Sequence, residues 1–303
     1  MPCQSADPND IKMAFAQVHV QWPHDADPDV HLQKRLGSVQ HQRASWFVLK
    51  EEGAICCSLG AYPVRLFGPV RERSARVLGA VFTPEAHRGR GYAAKLIRWV
   101  MDFYAGLGTR DFLLFSDIDT AYYQKLGFHI LPSFEWSWTL STHVEPPSEK
   151  LIVLPNHPMN PGSMNCRFGI RRQTEEASWV QAKQLQTLRL SRVVTQSGEA
   201  TEKWLISRQD GDTYTLLEST LSQEAADWAS FVQLVSEDAR MAGCKQVKGW
   251  WTASAATPDP VVQKEIRPRQ KEILMWASQK ALADPWLPAI ELQGFRAFLS
   301  EHV

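Results

Sequence analysis

The sequence has no apolar run approaching the ~20 residues that a membrane-crossing helix needs. Its first residues, Met1 to Asp10, are polar and lack the apolar core of a secretory signal. The expectation is a soluble, cytoplasmic protein with no membrane partner. The chain also has no excess of either charge, since 33 Lys and Arg stand against 33 Asp and Glu. Bulk attraction to nucleic acid is therefore not expected. Cysteine is scarce: Cys3, Cys56, Cys57, Cys166 and Cys244 are scattered, with no Cys-x-x-Cys and no His/Cys ligand spacing. That argues against a metal site and for free thiols in a reducing compartment.

What is present is length and apolar substance. With 303 residues and 44% of them apolar, the chain can build one large domain or two. Tryptophans fall in both halves, so they mark no single site.

One stretch carries a chemical signal. Pro84 to Ala93 follows an apolar run, Val77 to Phe82, and opens an amphipathic one, Tyr92 to Leu107. It reads as a strand, a glycine-bearing turn and a helix start. Gly89 and Gly91 allow a tight turn and a close approach to backbone N–H groups. The first helical turn adds unsatisfied N–H groups and the positive end of the dipole. Arg88 and Arg90 add charge, completing a cradle suited to a pyrophosphate. No Gly-Lys-Ser/Thr follows, so it is not a P-loop, and Gly-x-Gly-x-x-Gly is incomplete.

The spacing Arg88-x-x-Gly91-x-Ala93 resembles the acetyl-CoA loop of the GNAT N-acetyltransferase superfamily. Tyr122-Tyr123-Gln124-Lys125-Leu126-Gly127-Phe128, one helix and one strand further on, resembles that family's second signature. The resemblance implies an α/β (α+β) GNAT fold with a mixed, mostly antiparallel sheet splayed at strands four and five. It implies acetyl-CoA as cofactor, held by Val81, Phe82, Thr83, Arg88, Gly89, Arg90, Gly91, Tyr92 and Ala93. Ser116 stands where many members have a pantetheine-binding Asn. Tyr123 matches the family's general acid, a phenol protonated at neutral pH and able to donate to a departing thiolate. A base must take a proton from the attacking ammonium. Asp117, at the end of the fifth strand, is the first candidate, with Asp119, Glu85 and His87 as alternatives. Ser116-Asp117-Ile118 and Val81-Phe82-Thr83-Pro84 are similar to runs in the fungal lysine N-acetyltransferases.

The implied activity is acetyl transfer to the amine of a small molecule or amino acid, a lysine-like one included. Two other readings stay open: a non-catalytic acyl-CoA-binding module, and an acetyltransferase of a protein lysine or N-terminus. Oligomeric state is not legible.

Along the chain, Ile11 to Val20 is expected as a first strand and Val30 to Val39 as a weak helix. Ser45 to Lys50, Ala54 to Phe67, Arg76 to Phe82 and Phe112 to Phe115 follow as strands, with a possible break at Tyr62-Pro63. Asp119-Thr120 offers a cap for the helix carrying Tyr123, and Phe128 to Leu140 holds further strand. Residues 1–141 form the expected catalytic domain, 142–165 a Pro-rich linker, and 166–303 a C-terminal α/β domain walling the substrate pocket. There, Thr174 to Arg192 and Gln223 to Met241 read as helices, and Tyr214 to Leu217 and Val247 to Thr252 as strands. This helix–Gly–strand order echoes Gly91 to Phe115 without the Arg-x-x-Gly loop. A degenerate second GNAT-like unit and an unrelated α+β domain both fit.

Overall fold

The computed structural model describes residues 2–23, 25–68, 72–140, 149–154, 169–171, 188–195, 197–251, 266–279 and 286. Residues 174–187 of the helix expected over Thr174 to Arg192, most of the Pro-rich segment, Cys166 and the C-terminal tail lie outside them.

After a short strand β1 (Cys3–Ser5), residues expected as a strand are helical: α1 spans Pro8–Gln17, followed by a 3-10 turn, Val18–Val20. The reason is local. The Asp7 carboxylate accepts from the Asn9 and Asp10 N–H groups, the Asp10 side chain answers back to the Asp7 N–H, and Pro8 sits where a missing N–H costs nothing. That cap outweighs the β-branched Ile11, Val18 and Val20. Asp27 starts α2 (Pro28–Gly37) in the same way, and α3 (Val39–Arg43) follows.

Then comes the first sheet's antiparallel run: β2 (Ser45–Glu51), β3 (Ala54–Phe67) and β4 (Arg73–Phe82). Glu52 and Gly53, both at positive φ, close the β2–β3 hairpin. β3 runs unbroken through Pro63, which is exposed and pairs with Arg76. The helix α4 (Tyr92–Gly106) crosses to β5 (Asp111–Ser116), parallel to β4. Next are α5 (Thr120–Gln124) and β6 (His129–Ile130). The apolar stripe of α4, Leu96, Ile97, Val100, Met101 and Tyr104, packs on one face of this sheet. Phe15 of α1, Trp46, Tyr62 and Trp276 make the core on the other face.

The strand expected over 128–140 is divided. Its second piece, β7 (Phe134–Thr139), belongs to another sheet. That sheet continues with β8 (Lys150–Leu154), while β9 (Gly169–Arg171) pairs with β3. β10 (Leu188–Val194) occupies residues expected to end a helix, and cross-strand pairing with β8 and the next strand decides the conformation there. β11 (Ala200–Asp210), β12 (Thr213–Ser219), α6 (Trp228–Met241), β13 (Gln246–Trp250) and β14 (Ile266–Pro268) complete the unit. The last described strand, β15 (Ile273–Ser278), returns to the first sheet.

The strand orders match place for place: β1-β2-β3-β4-β5-β15-β6 in one sheet, β8-β10-β11-β12-β13-β7-β14 in the other. In each, a parallel pair is joined by one long helix. At corresponding places each sheet takes in a strand from the opposite half of the chain: β15 lies beside β5, and β7 beside β13, while β9 adds a further one to the first sheet against β3. The second half is thus a second GNAT-like unit, and the two interlock through exchanged strands.

Candidate active site

The site is built where β4 and β5 part. They pair only over Ala75–Val77 and Asp111–Leu113. Beyond Val77, β4 has no partner on that edge among the described residues, while β5 continues against β15 to Ser116. A β-bulge accompanies the parting. Ser58 opposes Phe82 and Gly60 opposes Gly79, so β4 carries one extra residue, and Ala80 within it has φ +48°. A left-handed alanine costs about 1–3 kcal/mol, held here by the ladder on both sides.

The open edge leads into the loop. Thr83 donates its hydroxyl to Cys57 Sγ, and Arg88 Nε donates to the Thr83 carbonyl at 3.1 Å. Glu85–His87 forms one 3-10 turn. Gly89 and Gly91 both have φ +75°. Gly91 is the N-cap of α4, and no side chain caps that helix end. A Cβ at Gly91 would meet nothing within 4 Å, so the requirement for glycine there is conformational, not steric crowding from the protein.

Other loop side chains point elsewhere. Tyr92 is buried, and its hydroxyl donates to Glu51 Oε2 at 2.9 Å, leaving its backbone as the group at the helix start. Arg90 is exposed and bonded to Tyr92 beside Glu51, which raises its pKa. Val81 packs on the α4 core, and Phe82 is buried with its ring edge-on to Trp22. Glu51, Cys56 and His87 bring ligand atoms within 4.8 Å of one another. The Arg90 charge beside Glu51 and Cys56 and the Tyr92 bond to Glu51 make this cluster a brace for the loop.

On the other side of the gap, Asp119 Oδ1 caps α5 by accepting from the Ala121 N–H, and Gly127 ends the segment at φ +90°. Asp119 is thereby tied to a structural bond. Tyr123 is 9% exposed, and its hydroxyl has no hydrogen-bond partner among the described residues. Burial, then Tyr122, Asp117 and Cys57 nearby, push its pKa up to about 12. Tyr122 stands edge-on to it, and the Tyr122 phenol bonds the Ala94 backbone in the first turn of α4. Burial pushes the Cys57 thiol up to about 12 as well, so it stays protonated at neutral pH. Ser116 is buried and donates its one hydroxyl hydrogen to the Ile118 carbonyl at 2.8 Å, leaving only acceptor capacity. Asp117 is exposed, and its Oδ1 accepts the Glu272 N–H at 3.2 Å. Glu85 and His129 are exposed, and His129 is part of β6.

Three residues at this end of the gap carried no motif. Glu272 sits at φ +53° just before β15, and burial, then Asp117, raises its pKa. Trp250 leaves the second sheet to pack its ring 5.4 Å from Phe115 of β5. Arg269 lies 3.9 Å over that same indole. Their placement depends on the exchanged strand, which no local pattern encodes.

A sequence model of the Acetyltransferase (GNAT) family matches residues 10–128. No curated protein matches the sequence at a significant level. Among solved structures, a GCN5-related N-acetyltransferase from Anabaena variabilis superposes with a TM-score of 0.66 at 14% identity, over 91% of this chain and 72% of that one. A tandem GNAT protein from the clavulanic acid biosynthesis pathway gives 0.56 at 10% identity, over 93% and 98%. The Saccharomyces cerevisiae N-myristoyltransferase with bound myristoyl-CoA gives 0.54 at 10% identity, over 91% and 82%. At these identities the likeness is one of fold, and in all three it spans both units of this chain.

Proposed function

We propose, from the premise that residues 10–128 belong to the GNAT acetyltransferase family and the chain is an N-acetyltransferase, that it moves an acetyl group from acetyl-CoA to the amine of a small molecule or amino acid. The observation that carries this reading is the open gap between β4 and β5. The start of α4, whose N-cap Gly91 has no side chain, stands at one end, and at the other the Tyr123 hydroxyl, which has no hydrogen-bond partner among the described residues.

The chain's groups fit the cofactor part by part. The unpaired edge of β4 around Val81, Phe82 and Thr83 offers backbone groups to an extended arm. The N–H groups at Gly91, Tyr92 and Ala93, reached through Gly89 and flanked by Arg88 and Arg90, suit a pyrophosphate. Ser116 has acceptor capacity only, so a donor on the cofactor would have to meet it. Bound acetyl-CoA supplies the acyl group as a thioester. Tyr123 holds a proton at Oη and gives it to the leaving sulfur. With a pKa near 12 it keeps that proton throughout the neutral and mildly alkaline range. Asp117 takes a proton from the attacking ammonium, directly or through a water. The second unit walls the acceptor side, since Trp250 and the 269–272 segment stand at the Asp117 end.

Tyr123→Phe should lower turnover by roughly 10²–10⁴-fold, with the acetyl-CoA dissociation constant unchanged in calorimetry. Wild-type turnover should show no loss of acid function through pH 10, where a free phenol titrates, because the proton is held to about 12. Undiminished turnover in the phenylalanine variant would remove Tyr123 from the mechanism.

A further inference from the structure

Arg269 is in an unusual state for an arginine. It is 7% exposed, and its Nε and Nη1 are buried with no hydrogen-bond partner among the described residues. No carboxylate lies within ion-pair distance of it among the described residues, although Glu272 and Glu135 lie close enough to raise its pKa. Glu135 is taken by Arg267 at 2.8 Å. Burial dominates and lowers the Arg269 pKa to about 10. Its backbone N–H donates to the Ser133 carbonyl and its guanidinium carbon lies 3.9 Å from the Trp250 ring centre, so the group is held in place. A buried guanidinium whose Nε and Nη1 have no partner among the described residues is a positive charge left for an oxyanion to neutralise.

The position of Arg269 gives that ligand a role. It begins the segment that carries the chain from β14 in one sheet to β15 in the other. Three residues on, Glu272 bonds Asp117 through its strained backbone, and Asp117 lies close enough to Tyr123 to raise its pKa. Trp250, under the guanidinium, packs on Phe115 of the strand that borders the gap. A cation site and two carboxylates therefore stand side by side at the acceptor end of the gap. Lys248 and Glu135 are the other charged groups acting on Glu272.

We propose that Arg269 is the acceptor-recognition residue and binds a carboxylate carried by the amine substrate, while Asp117 and Glu272 face its ammonium end. The acceptor class is an amine that also bears a carboxylate, and this rests on the acetyl-transfer reading above. Arg269 touches substrate without touching the reacting atoms. Glu272 is a positioning residue whose backbone N–H holds Asp117.

The test pairs L-lysine with L-lysinamide and cadaverine, which keep an amine and lack the carboxylate. Thiol release from acetyl-CoA gives kcat and KM for each, with wild type, Arg269→Gln and Arg269→Lys. Acetyl-CoA affinity is measured on every variant by calorimetry. Wild type should favour lysine over both analogues by on the order of tenfold or more in kcat/KM, through KM. Arg269→Gln should bring that preference to about onefold, and Arg269→Lys should restore part of it as a point charge without the fork. Equal use of lysine and its amide by wild type overturns the proposal, and so does an undiminished preference in a folded Arg269→Gln protein. Absence of acetyl-CoA binding would instead sink the acetyl-transfer reading on which it stands.

Discussion

Two connections of similar length sit at corresponding places in the two sheets; neither helix start has a side-chain cap bond from its N-cap residue, and they differ in glycine, in arginine and in the charge at the N-cap. Between β4 and α4 the chain has two glycines at φ +75°, two arginines and a helix start with no side-chain cap. Between β12 and α6, residues 220–227, it has no glycine and no arginine, and the N-cap residue is Asp227. A carboxylate there repels an anion at the helix end that would otherwise attract it. The gap differs too. Both sheets carry a bulge on the strand before the helix, between Ser58 and Gly60 of the β3–β4 pairing and between Ile206 and Ser207 of the β11–β12 pairing. In the second unit, however, Gln223 Nε2 and Trp136 Nε1 both donate to the Trp250 carbonyl, tying the connection and the exchanged strand to the end of β13. The architecture was kept while the ligand edge was closed by the protein's own side chains. On the proposed reading, the two units share a fold and differ in cofactor competence through a handful of loop residues.

The largest effect that should separate the units comes from Gly91→Val. A β-branched residue is disfavoured at φ +75°, and its side chain would stand in the approach to the α4 N–H groups. Acetyl-CoA binding should be lost in calorimetry while the protein stays folded by circular dichroism, because a Cβ there meets no protein atom within 4 Å. Retained affinity would break the contrast between the two connections.

Next in size is Asp238→Ala in the second unit. Asp238 is fully buried and is held by Arg189 at 2.9 Å, Ser191 at 2.6 Å and Tyr214 at 2.6 Å. Removing it strands a half-buried guanidinium and two donors. The expected cost is about 3–5 kcal/mol, read by urea denaturation. The folded protein should still bind acetyl-CoA. A loss of affinity in the folded state would mean that the second unit takes part in the cofactor site. Smallest is Arg88→Ala. Its Nε braces the Thr83 carbonyl, and it is exposed, so affinity should fall only several-fold, by about 1 kcal/mol.

What was legible in the sequence was local. Gly89, Gly91 and Arg88 announce a turn before a helix because glycine's freedom and the helix end are properties of neighbouring residues. Asp119 and Gly127 bound α5 for the same reason. Ile11 to Val20 carries β-branched residues that favour a strand, but the Asp7 and Pro8 cap in front of them sets a helix. Leu188 to Arg192 became strand through pairing with β8 and β11, partners distant in the chain. The exchange of β7 and β15 was invisible for the same physical reason, since an apolar run such as Ile273-Leu274-Met275-Trp276 does not state which sheet it will join. With it went Glu272, Arg269 and the contact of Trp250 with Phe115. A buried-looking arginine and glutamate flanking an apolar run were the available signal, and that pattern is common in ordinary strands. Ala80 was missed because nothing in an alanine marks it for φ +48°.

The central claim, that two units share one architecture and only the first holds the cofactor, is tested most directly by the stoichiometry of acetyl-CoA binding. Titration calorimetry of the full chain should give one site per chain, absent in Gly91→Val. Two sites per chain, or a single site that survives Gly91→Val, would contradict it.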